Sequence, residues 1–246
     1  MQQNSKKSQL IFGIRAVIEA IQSGKEIDKV YIQEGLRGPL MTELRKNIKK
    51  SKTPYVHVPV FKLNKFNNKN HQGVVAFISP IETFELENLI PTFFKNKTEH
   101  PRILILDRIS DVRNFGAICR SAECFGIDAI VIPKKGAAQI NEDAIKTSAG
   151  ALNIIPVCKS NSLNKTVKFI KNSGFTIIAC TEKGNKPLKV CKKDRPIALI
   201  MGSEEDGISE FLLKLSDEKC YLPMKGKIAS LNVSVACGIA LYELMN

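Results

Sequence analysis

The sequence contains no tryptophan, only three histidines and no long uninterrupted run of apolar residues. A membrane-spanning helix needs roughly 20 consecutive, mostly apolar residues, and the polar opening MQQNSKKSQL lacks the apolar stretch of a signal peptide. With 43% hydrophobic and 25% charged residues, the composition is that of an ordinary globular protein able to build a core. We therefore expect a cytoplasmic protein with no membrane partner.

Cysteines at metal-ligand spacing are also missing. The cysteines are odd in number, scattered and without a Cys-x-x-Cys pair: Cys119, Cys124, Cys158, Cys180, Cys191, Cys220 and Cys237. None of His57, His71 and His100 lies near a cysteine at the spacing of a zinc site. The sequence therefore predicts buried free thiols and no bound metal.

Positive charge is abundant and unevenly distributed, with a formal net charge of +13. Residues 1–80 contain 14 Lys and Arg against 5 Asp and Glu, whereas residues 81–246 contain 23 against 19. A locally basic domain attracts polyanions, which favours nucleic acid as the partner. The alternative is a solvated, lysine-rich surface.

Residues 1–80 have the pattern of a small α/β domain, and their basic charge makes this domain the candidate for binding nucleic acid. We expect residues 1–9 to be a flexible tail. IFGIRAVIEAIQSG has helical spacing, KVYIQ and QGVVAFISP have the pattern of strands, and GPLMTELRKNIKKS predicts a basic helix. YVHVPVFKLN predicts a further extended stretch, followed by an amide-rich loop. Residues 81–100 have weaker periodicity and are predicted to be a linker.

Residues 101–246 have a regular pattern of alternating strands and helices. RILILD, AIVIP, NIIPV, FTIIAC, PIALIM and CYLPM are the predicted strands, and VSVACGIALYELM is the last helix. This alternation predicts a mostly parallel sheet with helices on both faces. Ligands of such sheets bind at the loops that follow the strands, and three unusual loops here form the candidate site.

The first of these loops is DVRNFGAICRS, in which Asn114 can cap the following helix. Arg113, Gly116 and Arg120 would then share one helix face. A glycine costs roughly 1 kcal/mol inside a helix, so Gly116 suggests that something packs or binds closely there. The alternative is that Gly116 only permits close packing while Arg120 is solvated.

The second loop is MGSEEDGIS, in which Gly202 and Gly207 allow a tight backbone path and Ser209 can cap a helix. Glu204 could orient Arg120 or a ligand, although an acidic surface turn is the alternative. The third loop, LPMKGKIASLNVSVACGIAL, leads into an almost wholly apolar helix that Asn232 can cap.

Several kinds of chemistry are disfavoured by what these loops lack. The second domain has no G-x-G-x-x-G after its first strand, no Walker A lysine loop, no G-x-S-x-G elbow and no histidine close to a candidate nucleophile. Dinucleotide, ATP and hydrolase functions are therefore weakened. The backbone loops, amides and hydroxyls suit a ligand with a neutral base and no phosphate, such as S-adenosylmethionine.

NFGAICR, MGSEEDGIS and LPMKGKIASLNVSVACGIAL resemble, in order and spacing, the three motifs of the SpoU branch (TrmH-type) of the SPOUT RNA 2'-O-methyltransferases. IFGIRAVIEAI and HQGVVA resemble the ribosomal-protein-like RNA-binding domain of the 23S rRNA guanosine 2'-O-methyltransferase subgroup. The resemblance implies an α/β fold in which this small domain precedes a knotted methyltransferase domain with a parallel sheet and a deep trefoil knot. It also implies a homodimer and S-adenosylmethionine as cofactor.

The resemblance assigns roles by position. Arg120 would be the catalytic residue, with Asn114, Glu204, Ser230 and Asn232 around the reacting ribose. Cofactor contacts, chiefly through backbone, would come from Gly202, Leu222 and Leu231, with Thr181, Met201, Pro223 and Met224 as further candidates. A guanidinium group stays protonated at neutral pH, so we expect Arg120 to act electrostatically on the developing alkoxide.

Candidates for contacts with RNA phosphates follow from charge and position: Lys46, Lys49, Lys50, Lys62, Lys65, Lys69 and Arg113. The alternative for each is a plain solvated charge. The implied function is methyl transfer to a guanosine ribose of 23S rRNA. Its alternatives are a tRNA or another rRNA position, a non-catalytic ribosome-assembly factor and, disfavoured by the missing glycine fingerprint, a nicotinamide dehydrogenase.

Overall fold

The structure is a computed structural model that describes residues 10–66, 70–95, 100–228 and 230–245. The predicted tail, residues 1–9, and Lys69 lie outside the described residues. The chain divides into two compact units. The first comprises Met1–Glu82 with Gln139–Glu142, and the second comprises Thr83–Ala138 with Asp143–Asn246.

The first unit is a small sheet with helices. Its elements are β1 (Leu10–Phe12), α1 (Ile14–Gln22), β2 (Ile27–Gln33), α2 (Pro39–Ser51), β3 (Tyr55–Val58), α3 (Val60–Asn64) and β4 (Val74–Ile78). The strand order is β1-β4-β2-β3, in which β2 and β3 are parallel and the other neighbours are antiparallel. Val30 and Ile32 pack with α1 and α2, whereas Tyr31 packs on the opposite face, as the two-residue period of a strand requires.

The predicted extended stretch YVHVPVFKLN divides at Pro59. β3 ends at Val58, and α3 begins at Val60 with Pro59 in the cap position at φ −61°. Proline favours an extended residue before it and is tolerated at the start of a helix, because it has no backbone N–H to lose there. The prediction of one continuous extended stretch was wrong for this reason.

The second unit is built on a wholly parallel sheet. Its elements are α4 (Leu86–Phe93), β5 (Arg102–Asp107), α5 (Val112–Cys124), β6 (Ala129–Pro133), α6 (Glu142–Thr147), β7 (Val157–Ser160), α7 (Leu163–Asn172), β8 (Thr176–Cys180), β9 (Lys186–Pro187), β10 (Ile197–Gly202), α8 (Glu210–Leu215), β11 (Glu218–Tyr221) and α9 (Val233–Met245). Over the described residues the strand order is β7-β6-β5-β10-β8-β11-β9, and every pair of neighbours is parallel. The predicted parallel sheet is confirmed. The deep trefoil knot stays a prediction.

The segment predicted as a linker, residues 81–100, carries α4. Its residues Leu86, Ile90 and Phe93 are buried in the same core cluster as Ile103 and Ile105 of β5. These apolar residues recur at steps of three and four, the spacing of one buried helix face. Residues 83–95 therefore belong to the second unit, which begins at Thr83, while the predicted domain limits at residues 80 and 101 stay predictions.

One strand begins later than predicted. The sequence NIIPV predicted a strand over 153–157, but residues Ala151–Asn153 form a short 3-10 helix and Ile154 is 69% exposed. β7 begins at Val157, directly after Pro156. A proline has no N–H to donate to a neighbouring strand, so pairing starts only beyond it.

The last helix, α9, is apolar on all sides although only one side is covered. Val233, Cys237 and Leu241 are buried, whereas Val235 and Tyr242 are 51% and 56% exposed. A helix that is apolar all round is usually buried all round. Among the described residues no helix is both long and apolar enough to cross a membrane.

Candidate active site

A cavity of about 420 Å³ opens at the carboxyl ends of β8 and β10. Its walls come from the loop after β8, the turn after β10 and the segment between β11 and α9. The predicted cofactor residues that line it are Thr181, Met201, Gly202, Leu222, Met224 and Leu231. Glu204 and Ser230, predicted near the ribose, also line it, whereas Pro223 is not among the described lining residues.

The turn after β10 is closed by glycine. A Cβ atom on Gly202 would lie 2.2 Å from the carbonyl carbon of Gly207, so no larger residue fits without a backbone shift. Ser203 and Gly207 exchange two backbone hydrogen bonds, at 3.2 and 3.0 Å, and Gly207 has a φ of 64°. The predicted tight backbone path at these glycines is what the structure has.

Glu204 joins the three predicted motifs. Its Oε1 accepts hydrogen bonds from the Asn114 Nδ2 at 3.2 Å, the Asn232 Nδ2 at 2.9 Å and the backbone N–H of Val233 at 3.1 Å. Asn232 also donates from Nδ2 to the Asn114 Oδ1 at 3.0 Å. These contacts bring together side chains that lie 90 and 118 residues from Asn114.

Asn232 also caps α9, as predicted. Its Oδ1 accepts from the backbone N–H groups of Ser234 at 3.0 Å and Val235 at 3.4 Å, and from the Ser234 hydroxyl at 2.6 Å. The cap fixes the side chain, so that its amide group points to Asn114 and Glu204. The role of Asn232 as a helix cap is therefore compatible with its predicted place beside the ribose.

The cap of α5 differs from the prediction. Asp111, not Asn114, is the N-cap, and its side chain accepts the backbone N–H of Asn114 at 2.7 Å. The capping position lies one residue before the first helical residue, and only Asp111 occupies it. The side chain of Asn114 is thereby left available for Glu204. Ser209 likewise stands before α8 without a side-chain cap bond.

Gly116 allows close packing. A Cβ at this position would lie 2.7 Å from the carbonyl oxygen of Ala144 and 2.8 Å from the Cβ of Thr147. The glycine therefore lets α5 approach the end of α6, which matches the alternative interpretation of this residue. Its small size is needed for packing, and it is not among the described residues that line the cavity.

Arg120 is exposed on α5, and within the described part of the chain it has no hydrogen bond or ion pair. The suggestion that Glu204 orients Arg120 is not what the structure has, because that carboxylate binds Asn114 and Asn232. A shallow apolar groove lies between α5 and α9. Ala117 and Ser121, which lie three residues before and one residue after Arg120, are among the residues that line it. The other residues of this groove are Phe125, Ser234, Val235, Gly238, Ile239 and Tyr242.

The basic residues proposed for RNA contacts are exposed where they are described. Lys46, Lys49 and Lys50 lie on the outer side of α2, and Lys62 and Lys65 lie on α3 or directly after it. Arg113 is exposed on α5 in the second unit. Exposure is compatible with phosphate contacts and with plain solvation alike.

The cysteines are free, but not all are buried as predicted. Cys124 is exposed and Cys180 is half-buried. Cys180 lines the cavity, and burial, together with the neighbouring Cys220 and Glu182, raises its pKa to about 12. The group is therefore a neutral thiol at physiological pH and a poor nucleophile.

One group of side chains could not have been found by spacing. Cys191, Glu218 and Cys220 offer ligand atoms within 4.8 Å of one another. The Glu218 Oε2 already pairs with the Lys186 Nζ at 2.7 Å, and burial raises the pKa of both thiols. The ion pair with Lys186 engages one carboxylate oxygen of Glu218, and the absence of a bound metal stays a prediction.

Two contributions to the site were missed in the sequence. The loop after β8 supplies Glu182 and Lys183 to the cavity wall, and no motif marks it. Asp107 and Arg108 at the end of β5 bind the turn after β10. Asp107 ends a strand of apolar residues, and a carboxylate buried there needs hydrogen-bond partners. This position was the one signal in the sequence that could have indicated these contacts.

Comparison with known proteins supplies the family. The model of the SpoU rRNA Methylase family matches residues 101–242, and that of RNA 2'-O ribose methyltransferase substrate binding matches residues 10–84. A chain of Staphylococcus haemolyticus assigned to the TrmH family of tRNA/rRNA methyltransferases is 34% identical over 235 residues, which cover 96% of this chain and 94% of that one.

Solved structures share the fold. The SpoU methyltransferase AviRb of Streptomyces viridochromogenes, in complex with AdoMet, has a TM-score of 0.61 at 20% identity and covers 99% of this chain and 93% of that one. An AdoMet-bound rRNA methyltransferase of Sinorhizobium meliloti has a TM-score of 0.61 at 21% identity, covering 97% and 87%. Since the first family model matches more than half of the chain and the staphylococcal relative aligns over nearly all of it, the chain belongs to the SpoU methylase family.

Proposed function

We propose that this protein transfers a methyl group from S-adenosylmethionine to a ribose 2'-hydroxyl in structured RNA, specifically a guanosine of 23S rRNA. The observation that carries the proposal is the contact of Glu204 with Asn114 and Asn232 beside the cavity. It joins all three motifs of a methyltransferase family at one place. A cytoplasmic location is part of the proposal.

The cavity suits the cofactor. Its volume of about 420 Å³ is that of a small-molecule site. Its wall carries four acidic side chains, Glu182, Glu204, Glu205 and Asp206, against the single lysine Lys183, together with apolar groups such as Leu231. Acidic residues favour a cationic ligand, and S-adenosylmethionine supplies an electrophilic methyl group on a positively charged sulfonium.

The residues divide into two groups in this proposal. The cofactor would be held by Gly202, Leu222 and Leu231, with Thr181, Met201, Pro223 and Met224 nearby. The ribose would lie against Asn114, Glu204, Ser230 and Asn232. Of the first group, Gly202 admits no larger residue without a shift of the backbone, because an added Cβ would meet the backbone of Gly207.

Arg120 would act through the positive charge of its guanidinium group. Its guanidinium group is exposed and unpaired within the described part of the chain, so it can bind an incoming anion without first breaking an ion pair. A guanidinium stays protonated at neutral pH and is a poor general base. We infer that it stabilises the developing 2'-alkoxide and holds a neighbouring phosphate.

The homodimer belongs to the same proposal. The groove between α5 and α9 exposes Val235, Ile239 and Tyr242 at 51%, 40% and 56%. Such a cluster is commonly covered in an assembly. A second copy seated there would lie beside Arg120, which is why we propose that the reacting ribose is bound near the interface of two copies.

RNA binding is proposed for the basic surface of the first unit. Lys46, Lys49 and Lys50 present three ammonium groups on one helix, and Lys62 and Lys65 follow Phe61, which is 58% exposed, in the chain. Ammonium groups next to an exposed ring suit a polyanion with unstacked bases. Lys69 and Arg113 complete the proposed set.

Two other functions are distinguishable from this one. A tRNA substrate is compatible with the name of the staphylococcal relative, which covers tRNA and rRNA alike. A non-catalytic assembly factor would need no ribose site, and the bonded Asn114, Glu204 and Asn232 weigh against it.

The test is methyl transfer from radiolabelled S-adenosylmethionine to undermodified bacterial 23S rRNA, mapped by 2'-O-methyl-sensitive primer extension. We expect a single stop at a guanosine, absent with Arg120→Ala and present with the surface control Lys214→Ala. Label found only in tRNA would identify tRNA, and not 23S rRNA, as the substrate. Cofactor binding with no transfer to any RNA would favour the assembly factor.

A further inference from the structure

Arg108 occupies a costly backbone conformation at the edge of the cavity. It follows β5 with a φ of 61°, the left-handed region that side chains with a Cβ rarely adopt. Residues kept in this region are held there by surrounding contacts. The contacts of Arg108 therefore indicate what the conformation serves.

Each of the three nitrogen atoms of the Arg108 guanidinium group has a different partner. Nε lies 3.3 Å from the Asp107 Oδ1, Nη1 donates to the Asp206 Oδ2 at 2.9 Å, and Nη2 donates to the carbonyl oxygen of Gly207 at 3.2 Å. Only an arginine offers donors in this fixed fork, since a lysine has a single charged nitrogen.

The same short stretch holds both ends of the turn after β10. Gly202, where the turn begins, pairs with Asp107 in the sheet. The buried Asp107 accepts the backbone N–H of Ser209, beyond the turn, at 2.7 Å through Oδ2. Arg108 binds the middle of the turn, at Asp206 and Gly207.

We propose that Arg108 is a positioning residue that holds the turn formed by residues 202–209 against the cavity and thereby sets the affinity for S-adenosylmethionine. The turn forms one wall of the cavity and carries Glu204, while Arg108 itself does not line the cavity. Its effect therefore reaches the ligand through the turn. The inference rests on the proposed cofactor site and adds the residue that shapes it.

Binding of S-adenosylmethionine, measured by isothermal titration calorimetry on the full chain, tests the proposal. Arg108→Ala removes the fork and keeps the backbone strain, whereas Arg108→Gly removes both. We expect both variants to raise the dissociation constant about tenfold, the loss expected for charge-assisted hydrogen bonds. Arg108→Lys should restore only part of the affinity, and turnover at saturating cofactor should change much less than binding.

Three results would overturn the proposal. They are wild-type affinity in Arg108→Gly, full rescue by Arg108→Lys, and a fall in turnover with no change in binding. Asp206→Asn, at an exposed side chain, removes the partner of the Arg108 Nη1. Because Asp206 also lines the cavity, its weaker binding supports the proposal only if adding Arg108→Lys weakens binding no further, and additive losses would count against it. Lys214→Ala is the surface-charge control. If the wild-type protein binds no S-adenosylmethionine, the proposed function is wrong. If it binds the cofactor with an affinity that the Arg108 variants do not change, only this inference is wrong.

Discussion

The two units place their polar side chains in different ways. In the first unit, the basic residues Lys46, Lys49 and Lys50 lie on an outer helix face, dispersed in solvent. In the second unit, Asn114, Glu204 and Asn232 are bonded to one another at the carboxyl edge of a parallel sheet. Dispersed charge attracts a polyanion from any direction, whereas bonded amides fix a geometry. From this difference we propose that the first unit supplies affinity for RNA, whereas the second unit supplies the chemistry.

The strongest test of that separation is Arg120→Ala. We expect turnover at saturating RNA to fall about 100-fold or more, as when one donor to a developing oxyanion is removed, with cofactor affinity nearly unchanged. Single-turnover methyl transfer and calorimetry give the two values. Arg120→Lys with near-normal turnover would contradict a role for the guanidinium fork.

A charge placed in the apolar groove tests whether the second unit forms a homodimer. Ile239→Asp introduces a charge on the exposed face of α9, and we expect it to raise the dissociation constant of the homodimer by about 100-fold or more, since burying an unpaired charge is costly. Sedimentation velocity measures it. Phe211→Asp, at another exposed apolar position, is the matched control. A wild-type chain that sediments as a monomer would refute the dimer.

Gly202→Ala tests whether cofactor binding can be weakened without an effect on RNA binding. The added Cβ meets the backbone of Gly207, and overpacking of this kind costs about 1–3 kcal/mol, so cofactor affinity should fall roughly tenfold or more. RNA affinity, measured by filter binding, should stay at the wild-type value. Gly226→Ala places its Cβ in open space and serves as the steric control. Equal cofactor affinity in both variants would show that the turn is not part of the cofactor site.

The smallest effect is expected from the first unit. Replacing Lys46, Lys49 and Lys50 together by Ala should weaken RNA binding about tenfold and reduce the salt slope of the binding constant by about two, with turnover at saturation unchanged. The matched control removes Lys165, Lys168 and Lys171 from α7 of the second unit. If that change weakens RNA binding equally, the comparison between the units fails and total charge alone matters.

Much of the fold followed from local pattern. Alternating strands and helices predicted the parallel sheet, and Asn232 was correctly expected to cap α9. Errors arose where one residue changed the local balance, as at Pro59, or where a cap competed with a neighbour, as with Asp111 and Asn114. The helix in residues 86–93 was missed because a short amphipathic helix gives only two turns of signal.

The sequence by itself determined the alternation of strands and helices in the second unit, the basic character of the first unit and the three loops with their family motifs. Only the tertiary structure decided which distant residues meet: Glu204 with Asn114, Arg108 with Asp206, and Gly116 with the backbone of Ala144. Periodicity reports which residues are buried and how the backbone is bonded, both of which are local properties. Contacts across about 90 residues depend on strand order, because β10 lies between β5 and β8 and so brings its turn to the ends of both.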